Sequence, residues 1–528
     1  MDFRIFARRL ERICDSVHFT ILCFFSIMLP MTQSCKKCTK PFEIATEDLE
    51  FYKKVSPVFH EMRYDIPPPT FCPDCRHQRR LSFRNERHLY QRKCGLSGKS
   101  MLSMYSPEKP FPVYLRDEWW SDKWDPLSYG RDFDFNRPFF DQFQELFSKV
   151  PRVSLNTQES VNSDFCNFDL RNKDCYLIFT SAYNQNCYYS NRIEANRNCC
   201  DCSNVEKCEL CYELTDSENC YSCGWLQNSF NSSDCFLGYN LRGCKNCFAS
   251  YNLVNQSYCI GNKQYSKEEY ERLLPSLMTN IEKEKEKFFE ALRTTSRKYM
   301  SGVNFENCTG DAIYNSKNAL DCYEVRGVQD CKFVSNASKL RDVYDASNDD
   351  NSELTYEIIG SEENYMHCFN DICWFNKFSY YNSLCFNSNN IFGCVGLKKN
   401  AYCILNKQYT KEEYEALVPR ILSHMQKTGE LGEFFPSSIS PYGYNETMAA
   451  DSVHLNREEA LAQGFRWYDA VDPENQRVVE KYSVPVRIQD APDDITQKVL
   501  TCEVTGRFYK IIPQELAFYR QLGVPVPR

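Results

Sequence analysis

Cysteine recurs at every twelfth position along a central stretch of the chain. The eight positions are Cys175, Cys187, Cys199, Cys211, Cys223, Cys235, Cys247 and Cys259. The next position is mostly Tyr or Phe, and the preceding one is mostly Asn, Asp or Ser, which favour turns. Each period therefore predicts a turn, a short strand, a second turn and a second short strand, and the fixed internal period predicts stacked repeats. Because twelve residues cannot supply a pair of helices, we expect one coil of a parallel β-solenoid per period, or half of a 24-residue coil.

The repeat region occurs twice. Residues 248–270 align without gaps with residues 392–414, so the offset of 144 keeps the twelve-residue register. The cysteine column of the second copy is Cys331, Val343, Thr355, His367, Ser379, Ile391 and Cys403. Because Val, Thr and Ser fill space but bind no metal, this comparison favours a packed core. Each copy ends at a helical capping box, Ser266 with Glu269 and Thr410 with Glu413.

The phase of the repeat predicts which column is exposed. Neighbouring residues on a strand face opposite ways, and a small thiol suits a narrow interior. We therefore expect the cysteine column inside and the aromatic column outside, where Tyr344 and Tyr380 would contact glycans, bases or peptides. The alternative is that the aromatic rings only stack on one another.

Additional cysteines create CxxC pairs within the first copy. Cys208 with Cys211 and Cys220 with Cys223 form two such pairs, which would suit a second metal ion or an iron–sulfur cluster. The same spacing follows from two adjacent interior columns, and disulfides are a third alternative.

An aromatic segment precedes the first copy. Trp119, Trp120 and Trp124 lie beside several Asp residues, and Phe and Leu then recur at helical spacing over residues 139–147. We expect a hydrophobic cap over the end of the repeats. The alternative is an aromatic platform for a sugar or a base.

Two further CxxC pairs lie near the N-terminus. They are Cys35 with Cys38 and Cys72 with Cys75, and four thiolates in two tight turns suit tetrahedral Zn²⁺. The alternative is two pairs of buried free thiols.

The residues around these pairs carry a family resemblance. Phe42, Ile44, Leu49, Phe51 and Tyr52 follow the first pair, and three prolines precede the second. Residues 33–80 therefore resemble the zinc-ribbon (treble-clef) family of bacterial proteins, which implies a bound zinc ion. Residues 500–528 resemble a degenerate, truncated copy in which Cys502 is kept and Thr505 replaces the second cysteine. The remainder resembles a cysteine-rich repeat protein.

Basic residues follow the second CxxC pair. Arg76, Arg79, Arg80, Arg84 and Arg87 would place guanidinium groups on one helix face. Such a face could neutralise nucleic-acid phosphates. The alternative is that it pairs with acidic segments of this same chain.

Composition limits the functions that fit. The 528 residues include 30 Cys and 7 His, and the net charge of −8 argues against a globally basic nucleic-acid coat. Small secreted domains are the usual place for dense disulfides, so in so long a chain we expect metal ligands or core thiols. The apolar run 19–29 is too short for a transmembrane helix. No HExxH, GxSxG or GxGxxG motif is present, which favours a non-enzymatic protein.

The sequence thus predicts a mostly β protein with helical caps, in which a treble-clef zinc-ribbon head precedes two tandem parallel β-solenoids. The expected segments are an extension or signal-like segment 1–30, the zinc ribbon 31–96, the aromatic cap 97–160, the first solenoid 161–262, a helical cap 263–300, the second solenoid 301–405, a helical tail 406–480 and the degenerate copy 481–528.

The favoured function is a non-catalytic, zinc-binding scaffold or binding module. Nucleic-acid binding through the arginines is the second interpretation within that class. The alternatives are a glycan-binding or glycan-active β-helix and a thiol-based metal or redox protein. We expect a cytoplasmic location, or export if residues 1–30 are a signal segment.

Overall fold

The computed structural model describes residues 30–205, 208–215, 217–335, 337–347, 349–469 and 482–528. The predicted N-terminal extension lies outside these ranges except for Pro30. The described chain is mostly β-structure with additional helices, and its largest sheets consist mainly of parallel strands, which confirms the predicted class. Within these ranges no helix combines the length and the apolar character needed to cross a membrane.

The first stack, residues 157–264, pairs each strand in parallel with the strand twelve residues later, so that Cys187 lies beside Cys199. A final antiparallel pairing of Cys259 with Gln264 ends the series. The strands are Thr157–Gln158, Asn167–Leu170, Phe179–Ala182, Gln185–Tyr188, Arg197–Cys200, Glu209–Tyr212, Tyr221–Gln227, Phe236–Tyr239, Lys245–Tyr251, Ser257–Ile260 and Lys263–Gln264.

The second stack, residues 302–408, begins with a parallel pairing eleven residues apart, Gly302 with Ile313, and then follows the twelve-residue offset. It ends with the antiparallel pairing of Cys403 and Gln408. Its strands are Gly302–Glu306, Gly310–Leu320, Cys322–Arg326, Gln329–Lys332, Arg341–Tyr344, Asp349–Asp350, Glu353–Tyr356, Ser361–Glu362, Tyr365–Cys368, Cys373–Trp374, Lys377–Tyr380, Asn389–Phe392, Ala401–Ile404 and Lys407–Gln408.

Each twelve-residue period makes one coil with four short sides. Parallel pairings at this offset occur on all four sides: Val161–Lys173, Asp164–Tyr176, Phe179–Asn191 and Ala182–Glu194. The chain turns at a left-handed residue every third position: Asn162 (φ 49°), Phe165 (56°), Phe168 (53°) and Arg171 (50°). The structure therefore has four corners per coil where the sequence predicted two strands and two turns.

One residue per side points inward, which gives four interior columns such as Cys175, Ile178, Ser181 and Asn184. The cysteine column is inside, as predicted, and its eight members are at most 2% exposed. Their thiols donate to backbone carbonyls; Cys187 Sγ, for example, lies 3.6 Å from the carbonyl oxygen of Asn196.

The outward aromatic column is covered, so the prediction of an exposed aromatic surface is wrong. On the second stack, Tyr344 stacks against Phe51 with ring centroids 3.7 Å apart, and Tyr380 is 3% exposed. On the first stack, Tyr212 packs against Tyr519 at 5.4 Å. The column is therefore the docking face for other parts of the chain rather than a free platform.

The described residues form ten α-helices around the stacks. They are Thr46–Val55, Pro73–Leu81, Arg116–Trp120, Phe139–Phe147, Lys267–Thr279, Ile281–Thr294, Lys411–Thr428, Met448–Ser452, Arg457–Ala462 and Pro513–Leu522. In the same part of the chain, 3-10 turns span Pro126–Tyr129, Ser437–Ile439, Tyr444–Glu446, Ile488–Asp490 and Asp493–Gln497. Both predicted capping boxes form at the helices that follow the stacks.

Short strands complete the described segments that precede and follow the stacks. They are Met31–Ser34, Pro41–Ile44, Val58–Phe59, Met62–Arg63, Tyr90–Lys93, Ser100–Ser103, Val113–Tyr114, Arg152–Val153, Leu500–Thr501 and Phe508–Tyr509. The aromatic segment packs as a cap. Trp119 is fully buried against Phe386, and Phe139 lies against Phe392.

Candidate functional site

Four cysteines of the head, residues 31–96, converge as predicted. The sulfur atoms of Cys35, Cys38, Cys72 and Cys75 lie within 4.8 Å of one another, and three of the four side chains are buried. A set of four thiols at this separation can hold one metal ion.

Local backbone geometry brings the two pairs together. The first pair lies in a tight turn, where the Thr39 N–H donates to the carbonyl oxygen of Cys35 at 2.9 Å and Thr39 adopts a left-handed φ of 63°. The second pair begins the helix Pro73–Leu81, for which Cys72 is the N-cap and Pro73 the first residue. The Cys72 N–H donates to Cys35 Sγ at 3.3 Å, which joins the turn to the helix.

The thiols differ in acidity. Although burial opposes it, hydrogen bonds from the backbone N–H groups of Cys38 and Cys72 lower the pKa of Cys35 to about 6. Burial raises the pKa of Cys72 and of Cys75. The lowered pKa of Cys35 favours its thiolate, which is the form that binds a metal ion.

The helix Pro73–Leu81, here the arginine helix, inserts into the second stack. Arg76 Nη2 lies 2.8 Å from Asp345 Oδ2, and Arg79 Nη2 lies 2.9 Å from Glu357 Oε1. Arg79 also reaches Glu433 at 2.8 Å, and Arg80 Nη1 lies 3.4 Å from Asp345 Oδ1. Three guanidinium groups thus meet three carboxylates in a buried network.

This burial corrects the prediction of an exposed guanidinium face. Arg76, Arg79, Arg80 and Arg84 are each at most 4% exposed, so a nucleic-acid phosphate does not reach them in this fold. Only Arg87 of the five is on the surface, with a side chain 45% exposed beside Asp451. The alternative, pairing with acidic segments of the same chain, describes the observed contacts.

The predicted second metal set is arranged differently. Cys208, Cys211, Cys220 and Cys223 lie in interior columns of the first stack and do not form a metal-type cluster among the described residues. Cys211 and Cys220 donate to backbone carbonyls, and burial raises the pKa of Cys223 well above its usual range. These thiols are therefore core residues in this fold.

The tail, residues 482–528, keeps half of the head's geometry. The Gly506 N–H donates to the carbonyl oxygen of Cys502 at 2.9 Å, as Thr39 does to Cys35. Thr505 stands where the second thiol would be, and its N–H contacts Cys502 Sγ at 3.5 Å. The described tail thus has the turn of the head's site without its ligand set.

A cleft of about 420 Å³ separates the two stacks. Aromatic side chains on its walls are Phe168, Phe230, Tyr314 and Trp374. Ion pairs cross between the stacks at its edge, Arg192 to Glu324 at 3.2 Å and Arg326 to Glu218 at 3.5 Å. The cleft is therefore a polar space with aromatic walls.

Two buried charged groups face this cleft with unused hydrogen-bonding atoms. Asp169 Oδ1 and Arg84 Nη1 have no hydrogen-bond partner among the described residues, although both side chains are more than nine-tenths buried. Burial raises the pKa of Asp169 to about 6, against hydrogen bonds from Ser160 and Asn172. Buried unpaired polar atoms are uncommon, and a ligand could satisfy these two.

Sequence reasoning missed the carboxylate partners of the arginines and the cleft. Asp345 and Glu357 are twelve residues apart, so the repeat itself was the available signal that they stack. The cleft depends on how two stacks face each other, and no local pattern records that.

Comparison with models of protein families found no match, and comparison with curated proteins likewise found none.

Proposed function

We propose that this protein is a non-catalytic binding scaffold in which a zinc ion fixes a treble-clef zinc-ribbon head onto the second of two parallel β-solenoids. The convergence of Cys35, Cys38, Cys72 and Cys75 within 4.8 Å carries this proposal. Four thiolates fill a tetrahedral Zn²⁺ shell and leave no open position for a substrate, which favours a structural role over a catalytic one.

The metal would act by positioning the arginine helix. Cys72 and Cys75 belong to the first turn of that helix, and Arg76 and Arg79 follow within the next turn. Tying the thiols to the Cys35 turn therefore fixes where the guanidinium groups enter the second stack. Zinc binding and docking of the head would then be coupled.

The test is the zinc content of the full chain purified without added metal. We expect about one zinc per chain, lost in Cys38→Ser and Cys75→Ser. The matched controls are Cys94→Ser and Cys199→Val. The buried Cys94 thiol donates to Glu118 at 2.9 Å, and Val is the residue at the equivalent position of the second stack, Val343. Metal-free protein, or full zinc content in Cys75→Ser, would contradict the proposal.

A second candidate function is saccharide binding in the cleft. The observation that favours it is the combination of aromatic walls with the unpaired Asp169 Oδ1 and Arg84 Nη1. Sugar rings stack on aromatic faces while their hydroxyls satisfy buried polar atoms, and a cleft of about 420 Å³ is within the usual range of ligand pockets.

Calorimetry with neutral β-1,4-linked glucose and N-acetylglucosamine oligomers of two to four units tests this candidate. We expect binding that depends little on salt and weakens at least tenfold in Trp374→Ala. Trp120→Ala is the control because Trp120 lies outside the cleft and is 39% exposed. Equal affinities for the two variants, or no heat with any oligomer, would reject saccharide binding.

A further inference from the structure

The two stacks carry the same pair of acidic corner residues. Asp201 and Glu213 of the first stack lie 144 positions before Asp345 and Glu357 of the second. All four residues have left-handed φ angles, between 46° and 65°. The Glu213 N–H donates to the carbonyl oxygen of Cys200, and the Glu357 N–H donates to that of Tyr344, at 3.2 Å in both cases. The two pairs therefore occupy equivalent places in equivalent coils.

The surfaces next to these pairs are also occupied in the same way. Tyr52 of the head packs on Tyr356 with ring centroids 5.2 Å apart. Tyr519 of the tail, 467 positions later in the chain, packs on Tyr212, the counterpart of Tyr356, at 5.4 Å. The tail thus docks on the first stack as the head docks on the second.

The occupants of the acidic pairs differ. In the second stack, Asp345 and Glu357 receive the arginine helix. Beside Asp201 and Glu213, the described residues supply no counterpart of that helix. The cation that reaches Glu213 is Lys285, at 3.7 Å, and the Glu213 side chain remains 42% exposed.

The charge around Asp201 is therefore poorly balanced. Asp201 accepts a weak hydrogen bond from the Cys200 thiol at 3.6 Å and lies near two further carboxylates, Glu213 and Glu515. Burial and then these two like charges raise the pKa of Asp201 to about 7. A cation placed here would relieve that repulsion.

We propose that Asp201 and Glu213 form a docking site for an arginine-bearing helix of a partner protein. Its arginines would be spaced as Arg76, Arg79 and Arg80 are, since that spacing matches two carboxylates one coil apart in the second stack. The partner's helix would occupy the place on the first stack that the arginine helix occupies on the second. This proposal is independent of the metal and of the cleft.

Fluorescence anisotropy with a labelled peptide tests the site on the full chain. The peptide has the sequence of residues 71–86, with Cys72→Ser and Cys75→Ser to prevent oxidation. We expect saturable binding that weakens with salt and falls at least tenfold in Asp201→Asn/Glu213→Gln. A second peptide with Gln at three of its four arginines (Arg76, Arg79 and Arg80) should not bind.

The matched control removes the same charge elsewhere. Glu209→Gln/Glu290→Gln neutralises two exposed carboxylates and should bind the peptide like the unaltered chain. The docking variant should keep or raise the melting temperature, because it relieves repulsion at Glu515, so lost binding would not reflect unfolding.

Three outcomes would overturn the proposal. One is no binding at about 100 μM protein; another is equal binding by the docking variant and the control. The third is a chain without residues 1–29 that binds the peptide at least tenfold more tightly. That result would make the Arg4–Arg12 region of this chain, not a partner, the occupant.

Discussion

Buried carboxylates decide how the head docks on the second stack. Asp345 and Glu357 lie at the same left-handed corner of successive coils, so both reach the arginine helix while their neighbours in sequence point elsewhere. The side chains of Asp345, Glu357 and Arg80 are each at most 1% exposed. Since a buried charge without its partner is costly, this network fixes one docking position.

Glu357→Gln should therefore weaken the fold strongly. The change leaves Arg79 and Arg80 buried with one carboxylate fewer, and breaking a buried ion pair costs roughly 3–5 kcal/mol. Glu433→Gln, at the more exposed end of the same network, should cost about 1 kcal/mol or less. Urea unfolding of the full chain measures both, and similar losses would show that burial does not set the contribution of each pair.

Asp169 should make stability depend on pH. Burial raises the pKa of Asp169 in the folded chain to about 6 from the usual 3.8. The favourable contribution of this group to the free energy of unfolding is therefore complete below pH 4 and is lost as pH rises through 6. Asp169→Asn should match the unaltered chain at pH 4 and be more stable by about 3 kcal/mol at pH 7. Unfolding at both pH values tests this, with the exposed Asp164→Asn as control. A difference that does not change with pH would contradict it.

At the scale of elements, the twelve-residue period and the corner geometry explain what was predictable. Asp174, Asn186 and Asn198 precede the cysteines and were recognised as turn residues, and all three have positive φ. Other corners carry residues such as Leu177 and Tyr183, which have no turn preference, so two of the four sides were invisible in the sequence. Their left-handed conformation is imposed by the stacking of coils, not by local propensity.

The helices that dock on the aromatic columns form a matched pair for mutation. Phe51 is 3% exposed and stacks on Tyr344. Its counterpart Phe518 is 5% exposed, and its ring centroid lies 6.5 Å from that of Tyr212 in an edge contact. Phe51→Ala and Phe518→Ala should each cost about 3–5 kcal/mol. The stacked ring should make Phe51→Ala the larger loss by about 1 kcal/mol.

Chemical unfolding measures both losses. Phe289→Ala is the control because that ring is 50% exposed in a neighbouring helix, and its removal should cost less than about 0.5 kcal/mol. If either buried Phe behaved like Phe289, the covered aromatic column would not be an energetic docking face.

At the scale of the whole molecule, the head and the tail each pack on the stack that is more distant in sequence. The head, first along the chain, packs on the second stack, and the tail, last along the chain, packs on the first. The sequence alignments predict that the two stacks resemble each other and that the tail resembles the head. They do not indicate which stack the head covers and which the tail covers. The four-thiol site was predictable because its ligands are encoded in two local motifs, whereas the cleft required the assembled stacks.

This arrangement gives an internal control for metal removal. Both docked units use an aromatic helix, but only the head has four thiols, since the tail has Cys502 with Thr505. Treating the full chain with a chelator should therefore release the head and speed amide exchange in the strands beneath it, Arg341–Tyr344 and Glu353–Tyr356. The equivalent strands of the first stack, Arg197–Cys200 and Glu209–Tyr212, should keep their protection because no metal holds the tail.

Hydrogen exchange followed by mass spectrometry compares the four strands in one sample. Cys75→Ser should reproduce the chelator's effect without a chelator, and Cys94→Ser should not, since its thiol lies outside the cluster. Equal deprotection of both stacks would mean that the metal stabilises the molecule as one cooperative unit. No change in either would mean that the buried arginine network holds the head without the metal, and the coupling proposed between zinc and docking would fail.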